Sequence, residues 1–250
     1  MREVLDVIYK KVDGQELSLD LFLPDCNSFQ TFVFFHGGGL EGGDKGGARV
    51  FVKNLTDAGV AVVSADYRLY PTAKYPDFIE DSADAVAWTI NNIGKYGESK
   101  KIIVGGSSAG GYLSMMLCFD GRWYEKAGAD ASKIDGYFHN AGQPTNHYNV
   151  LRERGINSLR AMIDDSAPLY HIGEAESYPP MRFIVSEDGD LPNRYEQTML
   201  TISAIKNFGY DQTKVSKVIL KGGHCEQDRK IDENGNSVLG TLILDFIQTI

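Results

Sequence analysis

A serine framed by glycines is the feature of the sequence best suited to covalent chemistry. The stretch Gly106-Ser107-Ser108-Ala109-Gly110 follows an apolar run that ends at Val104 and precedes a segment of helical periodicity near Leu113. A serine at the tip of a sharp turn between strand and helix is strained and exposed, and the glycines let the two elements pass closely. The spacing predicts that Ser108 is a nucleophile for acyl transfer, although the bare motif also arises by chance in roughly one chain of this length in ten.

A run of three glycines supplies backbone donors that could serve the same reaction. Residues 37–39 come directly after the apolar run 31–35 and His36. Consecutive glycines leave their N–H groups free to converge on a small anion, so we predict an oxyanion hole formed by the amides of Gly38, Gly39 and Ala109. Two alternatives are a flexible glycine loop and a dinucleotide-binding turn, whose glycine spacing the stretch also matches without a clear helix at the third glycine.

An acid and a base follow the serine in the order that a triad on a strand-turn-helix framework uses. His224 lies in a glycine turn directly after the apolar run 215–220, and it is the only one of the five histidines in such a position. Asp188 and Asp190 lie in the acidic turn after the run 181–185. Because the two are two residues apart, both carboxylates could reach the same edge of the site, and the spacing leaves the choice of acid open.

Short apolar runs alternate with amphipathic segments along most of the chain. Alternating patterns at residues 4–9 and 17–23, with an Asp-Gly turn between them, predict an antiparallel hairpin of edge strands. Continuous apolar runs predict strands of a parallel sheet at 31–35, 60–65, 101–104, 181–185 and 215–220. The helical stripes between these runs, and a closing helix over 239–250, predict an α/β fold with helices on both faces of the sheet.

The length fits one domain over residues 1–250 better than two smaller ones. Residues 143–180 break the alternation because they are polar and aromatic and rich in turn residues. We expect this segment to pass above the sheet as a lid or substrate-binding wall, with a short helix over 156–163.

The charge and the cysteine content of the chain indicate which kinds of partner and cofactor to expect. The formal net charge of −9 and the absence of Lys and Arg clusters argue against a nucleic-acid partner and favour a neutral substrate. Cys26, Cys118 and Cys225 are odd in number and lack metal-ligand spacing, so we expect neither disulfides nor a metal.

No run is long and apolar enough to span a membrane, and the acidic amino terminus lacks the core of a secretory signal, which predicts a cytoplasmic protein. The oligomeric state stays open, with a homodimer as one option.

The motifs together resemble the hormone-sensitive-lipase and acetylesterase branch of the α/β-hydrolases. The matching stretches are 36–39 with 43–45, 66–69 with 75–76 and Asp81, 85–88, and 106–111. The resemblance implies an eight-stranded α/β-hydrolase fold, a serine carboxylesterase without a cofactor, and a triad of Ser108, Asp190 and His224. Asp190 is preferred over Asp188 because Asp-Leu-Pro is similar to the acid followed by an apolar residue in related hydrolases.

At two positions the chain differs from the usual pattern of that branch, and both differences make it more similar to the smaller esterases. Leu40 follows the glycine triplet where an aromatic residue is common, and Ser107 precedes the nucleophile where an acidic residue is common. The chain is in this respect similar to small acetyl and feruloyl esterases, and residues 143–148 and 194–197 resemble bacterial esterases that deacylate carbohydrates. The expected substrate is therefore a small acyl ester. A non-catalytic binding homologue and a serine peptidase of the same fold are the alternatives.

Overall fold

Eight strands form one mixed sheet in the computed structural model, which describes residues 1–250. The strands are β1 (Arg2–Val12), β2 (Gln15–Leu23), β3 (Ser28–Phe35), β4 (Val60–Ala65), β5 (Glu98–Ser107), β6 (Gly136–Asn140), β7 (Met181–Asp188) and β8 (Val215–Lys221). Their order is β1-β2-β4-β3-β5-β6-β7-β8. β2 is antiparallel to β1 and β4, and every other neighbouring pair is parallel. The mostly parallel eight-stranded sheet is thus confirmed, and the carboxyl ends of β3, β5, β7 and β8 lie at one edge.

Helices cover both faces of this sheet, as predicted. They are α1 (Val52–Asp57), α2 (Asp77–Asn92), α3 (Ala109–Phe119), α4 (Arg122–Lys126), α5 (Tyr148–Glu153), α6 (Arg194–Asn207) and α7 (Val238–Thr249). Successive side chains of a strand point to opposite faces. Phe32 and Phe34 of β3 therefore pack with α1 and α7, while Val33 and Phe35 pack with α2 and α3. None of the helices has both the length and the apolar character needed to cross a membrane.

Two strand predictions need correction. Only β1 is an edge strand of the hairpin, because β2 also pairs with β4. The polar residues of β2 suggested an exposed face, yet Asp20 is buried and accepts a hydrogen bond from the amide of Asp6. The prediction also missed β6, which is only five residues long and carries His139 and Asn140, although all five residues are buried.

The helix expected over residues 156–163 is wrong. Its apolar residues have nothing to bury against, since Leu159 is 78% exposed and Ile163 is 49% exposed. The helix of this part of the chain is α5, just upstream, and Gly155 follows it with a φ of 70°, a conformation that glycine adopts without strain.

Candidate active site

Ser108 occupies a sharp turn between β5 and α3. Its backbone has φ 54° and ψ −111°, a conformation that is strained for any residue with a side chain. The flanking glycines make the turn possible: a Cβ at Gly106 would lie 2.4 Å from the carbonyl carbon of Gly110, and one at Gly110 would lie 1.9 Å from the carbonyl oxygen of Phe35. The amide of Ser108 donates to the carbonyl of Asn140 at 2.7 Å, which ties the turn to the end of β6.

Hydrogen bonds connect Ser108, His224 and Asp190 in one chain. His224 Nε2 lies 2.7 Å from Ser108 Oγ, and His224 Nδ1 lies 2.5 Å from Asp190 Oδ1. The loops after β7 and β8 bring the acid and the histidine to the turn after β5 because parallel neighbours end at the same edge of the sheet. The three residues predicted from the sequence therefore lie together. The arrangement can carry a proton away from a serine hydroxyl.

Asp190, and not Asp188, is the carboxylate that contacts His224. Asp188 is the exposed last residue of β7 and pairs in the sheet with Lys221. The Asp190 side chain is 4% exposed. Burial raises its pKa, but the hydrogen bond and charge of His224 and backbone amides that donate to the carboxylate outweigh burial and lower the pKa. Asp190 is therefore held in the ionised form that stabilises a protonated imidazole.

The glycine loop after β3 lies against the serine turn. A Cβ on Gly37 would lie 3.3 Å from the Cβ of Ser108, so the two loops are in direct contact. Gly38 and Gly39 have φ values of 116° and 67°, and their amides donate to no acceptor in the protein. Ala109 is the first residue of α3 and has no intrahelical acceptor for its amide. All three predicted donors thus remain available beside Ser108.

Side chains far away in the sequence hold the glycine loop, and sequence reasoning missed them. Asn149 of α5 is buried and donates from Nδ2 to the carbonyl of Gly39 at 2.8 Å. Tyr67 donates from its hydroxyl to the carbonyl of His36 and stacks on the His36 ring with centroids 4.3 Å apart. Only the tertiary fold brings these residues to the loop.

A wide groove holds Ser108 and His224, and the hydroxyl of Tyr148 borders it. The groove has a volume of about 1060 Å³. A Cβ at Gly39 would lie 1.8 Å from Tyr148 Oη, so the tyrosine covers the glycine loop directly. Within the 143–180 segment, Tyr148 lines the groove, whereas Tyr170 lies outside it and is 55% exposed.

A polar network behind Ser108 is a further feature that the sequence did not indicate. Asn140 Nδ2 donates to Ser107 Oγ and to Asp228 Oδ1, both at 2.8 Å, and Asn140 Oδ1 accepts from Gln227. Burial raises the pKa of Asp228 to about 6, opposed by hydrogen bonds from Ser107 and Asn140 and by the charge of His224. The network fixes the end of β6, to which the serine turn is bonded.

One cluster elsewhere contains residue types that bind metals. Ligand atoms of Asp120, His171 and Glu174 lie within 4.8 Å of one another. Arg122 Nε donates to Asp120 at 2.6 Å. His171 Nε2 is hydrogen-bonded to the carbonyl of Asp165 at 2.9 Å and lies 3.5 Å from Asp120, and Nδ1 lies 3.1 Å from Glu174. The guanidinium already supplies the positive charge, so the cluster is an ion-pair network.

Comparison of the sequence with known proteins assigns the chain to a family. The model of the BD-FAE family matches residues 19–150, a stretch that contains the glycine loop and the serine turn. The chain belongs to the BD-FAE family. This confirms the resemblance inferred from the motifs.

Curated relatives of this BD-FAE protein match over part of their length. A probable isoprenylcysteine alpha-carbonyl methylesterase of Oryza sativa subsp. japonica is 30% identical over 141 residues, which cover 53% of this chain and 32% of the relative. A carboxylesterase of Mycobacterium tuberculosis is 35% identical over 139 residues, covering 50% and 43%. The matched part thus spans less than half the length of these relatives.

Solved structures match nearly the whole BD-FAE chain. Esterase 2 of Thermogutta terrifontis, phosphoramylated by tabun, superposes with a TM-score of 0.77 at 22% identity and covers 99% of this chain and 94% of its own. An esterase of the fungus Rhizomucor miehei gives a TM-score of 0.76 at 22% identity, covering 100% and 83%. These likenesses confirm the predicted α/β-hydrolase fold.

Proposed function

We propose that this protein is a serine carboxylesterase that forms an acyl-enzyme on Ser108. The observation that carries the proposal is the continuous hydrogen-bond chain from Ser108 Oγ through His224 to Asp190, at 2.7 and 2.5 Å, beside amides without acceptors. Family membership and the esterase names of the relatives support the same reaction class.

In the first half of the proposed reaction, Ser108 Oγ attacks the ester carbonyl carbon while His224 Nε2 takes the hydroxyl proton. Asp190 holds the Nδ1–H of the imidazole and stabilises the imidazolium that forms. The amides of Gly38, Gly39 and Ala109 receive the negative oxygen of the tetrahedral intermediate, each contributing about 3 kcal/mol. The proton then passes from His224 to the departing alkoxide, and the acyl group stays on Ser108.

In the second half, water replaces the alcohol. His224 takes a proton from the attacking water, the same amides stabilise the second tetrahedral intermediate, and the carboxylic acid leaves as the proton returns to Ser108. The open groove of about 1060 Å³ gives water access to the acyl-enzyme. The proposed steps use only residues of this chain and water.

The proposed substrate is a small acyl ester, with acetyl and feruloyl groups on carbohydrates as the first candidates. The departures at Leu40 and Ser107 from the lipase-like pattern support small acyl groups. Esterase 2 of Thermogutta terrifontis has been solved with propionate and with butyrate bound. The groove leaves room for a sugar as the alcohol part of the ester.

A substrate panel tests this function. Purified protein should hydrolyse p-nitrophenyl acetate and butyrate faster than the octanoate, and should release acetate or ferulate from acylated sugars, whereas peptides of matched size should remain intact. Cleavage of peptides at comparable rates would establish a peptidase. Binding of esters without hydrolysis would establish a non-catalytic homologue.

A further inference from the structure

A second, smaller cavity opens beside the groove that holds Ser108. Its volume is about 270 Å³, and Tyr148 and Leu191 line both spaces. Its walls carry two arginines, Arg160 and Arg194, and no aspartate or glutamate. In a chain of formal net charge −9, this lining is a local excess of positive charge.

Arg194 is the most deeply buried arginine of the protein, and it has no acidic partner. It is 4% exposed, compared with 8% for Arg68 and 7% for Arg182. Arg68 is paired with Asp81, and Arg182 is paired with Asp245. Arg194 forms no salt bridge. A buried charge without an opposite charge destabilises the folded state, so its presence calls for another role.

The Arg194 guanidinium uses only part of its capacity to donate hydrogen bonds. Nη1 donates to the carbonyl of Ala141, Nη2 donates to Gln143 Oε1 at 3.4 Å, and Nε donates to no atom of the protein. Burial lowers the pKa of Arg194 to about 10, against the attraction of nearby Asp190. The group therefore remains charged at neutral pH, and its buried Nε is a donor that the protein leaves unsatisfied.

Arg194 is also the first residue of α6, and the start of that helix lines the cavity. Residues 191–194 and Gln197 form one wall. Asn193, which precedes the helix, makes no capping hydrogen bond with its side chain. The Arg194 amide itself already donates to the carbonyl of Leu191. The amino-terminal end of a helix nevertheless carries a partial positive charge, so it favours an anion at the same place as the guanidinium.

We propose that this cavity binds a carboxylate group of the ester substrate. The inference rests on the proposed function, because it treats the cavity as a subsite of the ester-binding groove. The planar Arg194 guanidinium matches the two oxygens of a carboxylate, while exposed Arg160 adds positive charge at the same cavity. The net charge of the chain favoured a neutral substrate, but the charge lining the cavity favours an anionic one.

Two pairs of ligands test the subsite and show which side of the ester carries the carboxylate. Monophenyl succinate carries it on the acyl side and para-acetoxybenzoate on the alcohol side, and each is compared with its methyl ester. Binding is measured by calorimetry on Ser108→Ala, which is expected not to turn the ligands over. One of the two acids should bind about 10- to 100-fold more tightly than its methyl ester.

Second substitutions in the Ser108→Ala background assign the preference to Arg194. Arg194→Gln should abolish it. Arg152→Gln, which removes an exposed cation that lines neither cavity, should leave it intact. Arg194→Lys keeps the charge without the planar fork, so it should show a weaker preference; it provides the test if Arg194→Gln does not fold.

The inference would be overturned if each acid bound no more tightly than its methyl ester. It would also be overturned if the preference for the acid persisted in Arg194→Gln or was undiminished in Arg194→Lys. These outcomes are separate from the proposed function. Failure of the unmodified protein to hydrolyse neutral esters would overturn the esterase proposal, while the binding measurement does not depend on turnover.

Discussion

Two regions of the molecule contain buried charges, and they differ in how completely those charges are paired. Around Asp81 of α2, the Arg68 side chain donates from Nε at 2.8 Å and from Nη2 at 3.0 Å, and Lys10 Nζ donates at 2.6 Å. The Asp81 side chain is fully buried. Its two oxygens face cations on both sides, so no charge there is left for a ligand.

The edge of the sheet at Ser108 is organised differently. His224 is 21% exposed and Asp190 contacts it inside an open groove, while Arg194 beside them has no acidic partner. Complete pairing, as around Asp81, supports the fold. Incomplete pairing at the carboxyl edge costs stability and leaves groups available for a substrate. Removing a charge should therefore lower stability in the first region and activity in the second.

The largest effect is expected at Ser108, the proposed nucleophile. Ser108→Ala removes the attacking oxygen, and kcat for p-nitrophenyl acetate should fall about a million-fold while the circular dichroism spectrum stays unchanged. Ser107→Ala changes the adjacent serine, whose hydroxyl points into the Asn140 network, and it should retain most of the rate. Substantial hydrolysis by Ser108→Ala would show that another residue attacks the ester.

The next largest effect separates the two aspartates. Asp190→Asn should lower kcat about 10⁴-fold, because an amide neither holds the same imidazole tautomer nor stabilises the imidazolium. Asp188→Asn, at an exposed strand end, is the matched control and should leave kcat nearly unchanged. The reverse ranking of the two variants would assign the acid to Asp188.

A substitution in the fully paired region should change stability and spare catalysis. Asp81→Asn removes the fully buried carboxylate that Arg68 and Lys10 share and leaves them only the more exposed Asp13, Asp77 and Asp84. It should lower the free energy of unfolding in urea by about 3 kcal/mol. The control is Asp57→Asn in the exposed Lys53–Asp57 pair, whose side chains are 80% and 62% exposed. It should cost well under about 1 kcal/mol. If Asp81→Asn instead lowered kcat of the folded protein, the contrast between the regions would fail.

The smallest effect concerns the pH dependence of stability. The folded-state pKa of Asp228 is about 6 and its ordinary value is 3.8, so the protonated form is favoured by folding. Its contribution to stability is fully present below pH 3.8 and is lost as pH rises to about 6. Asp228→Asn should therefore stabilise the protein at pH 8 by about 1–2 kcal/mol relative to the wild type, and less at pH 4. If the difference in the free energy of unfolding between the two proteins were the same at pH 4 and pH 8, the raised pKa of Asp228 would be contradicted.

Local patterns predicted much of the fold and the positions of the three residues that meet at the serine turn. The apolar runs of β3, β4, β5 and β7 are buried, so each signal is contained in a few adjacent residues. The run of β8 also forms a strand, but it lies at the edge of the sheet and its residues are partly or fully exposed, so the expectation of burial on both faces was wrong there. A serine, an acid and a histidine placed after such strands must meet at one edge of a parallel sheet. The order of strands then determines which loops are neighbours.

What the sequence could not predict depends on long-range contacts. Asn149 reaches Gly39 across 110 residues, and Asp228 reaches Asn140 across 88. The choice between Asp188 and Asp190 also required the position of His224. Asp188 is the last residue of β7, whereas Asp190 lies in the following loop and contacts the imidazole. The unpaired state of Arg194 is likewise visible only when every neighbour is in place.

The central claim is that Ser108 is the residue that becomes acylated, and labelling with a fluorophosphonate tests it most directly. Intact mass spectrometry of the wild type should show one adduct, and peptide mapping should place it on Ser108. Ser108→Ala should gain no adduct under the same conditions. An unlabelled wild type, or an adduct on another residue such as Ser107, would contradict the account.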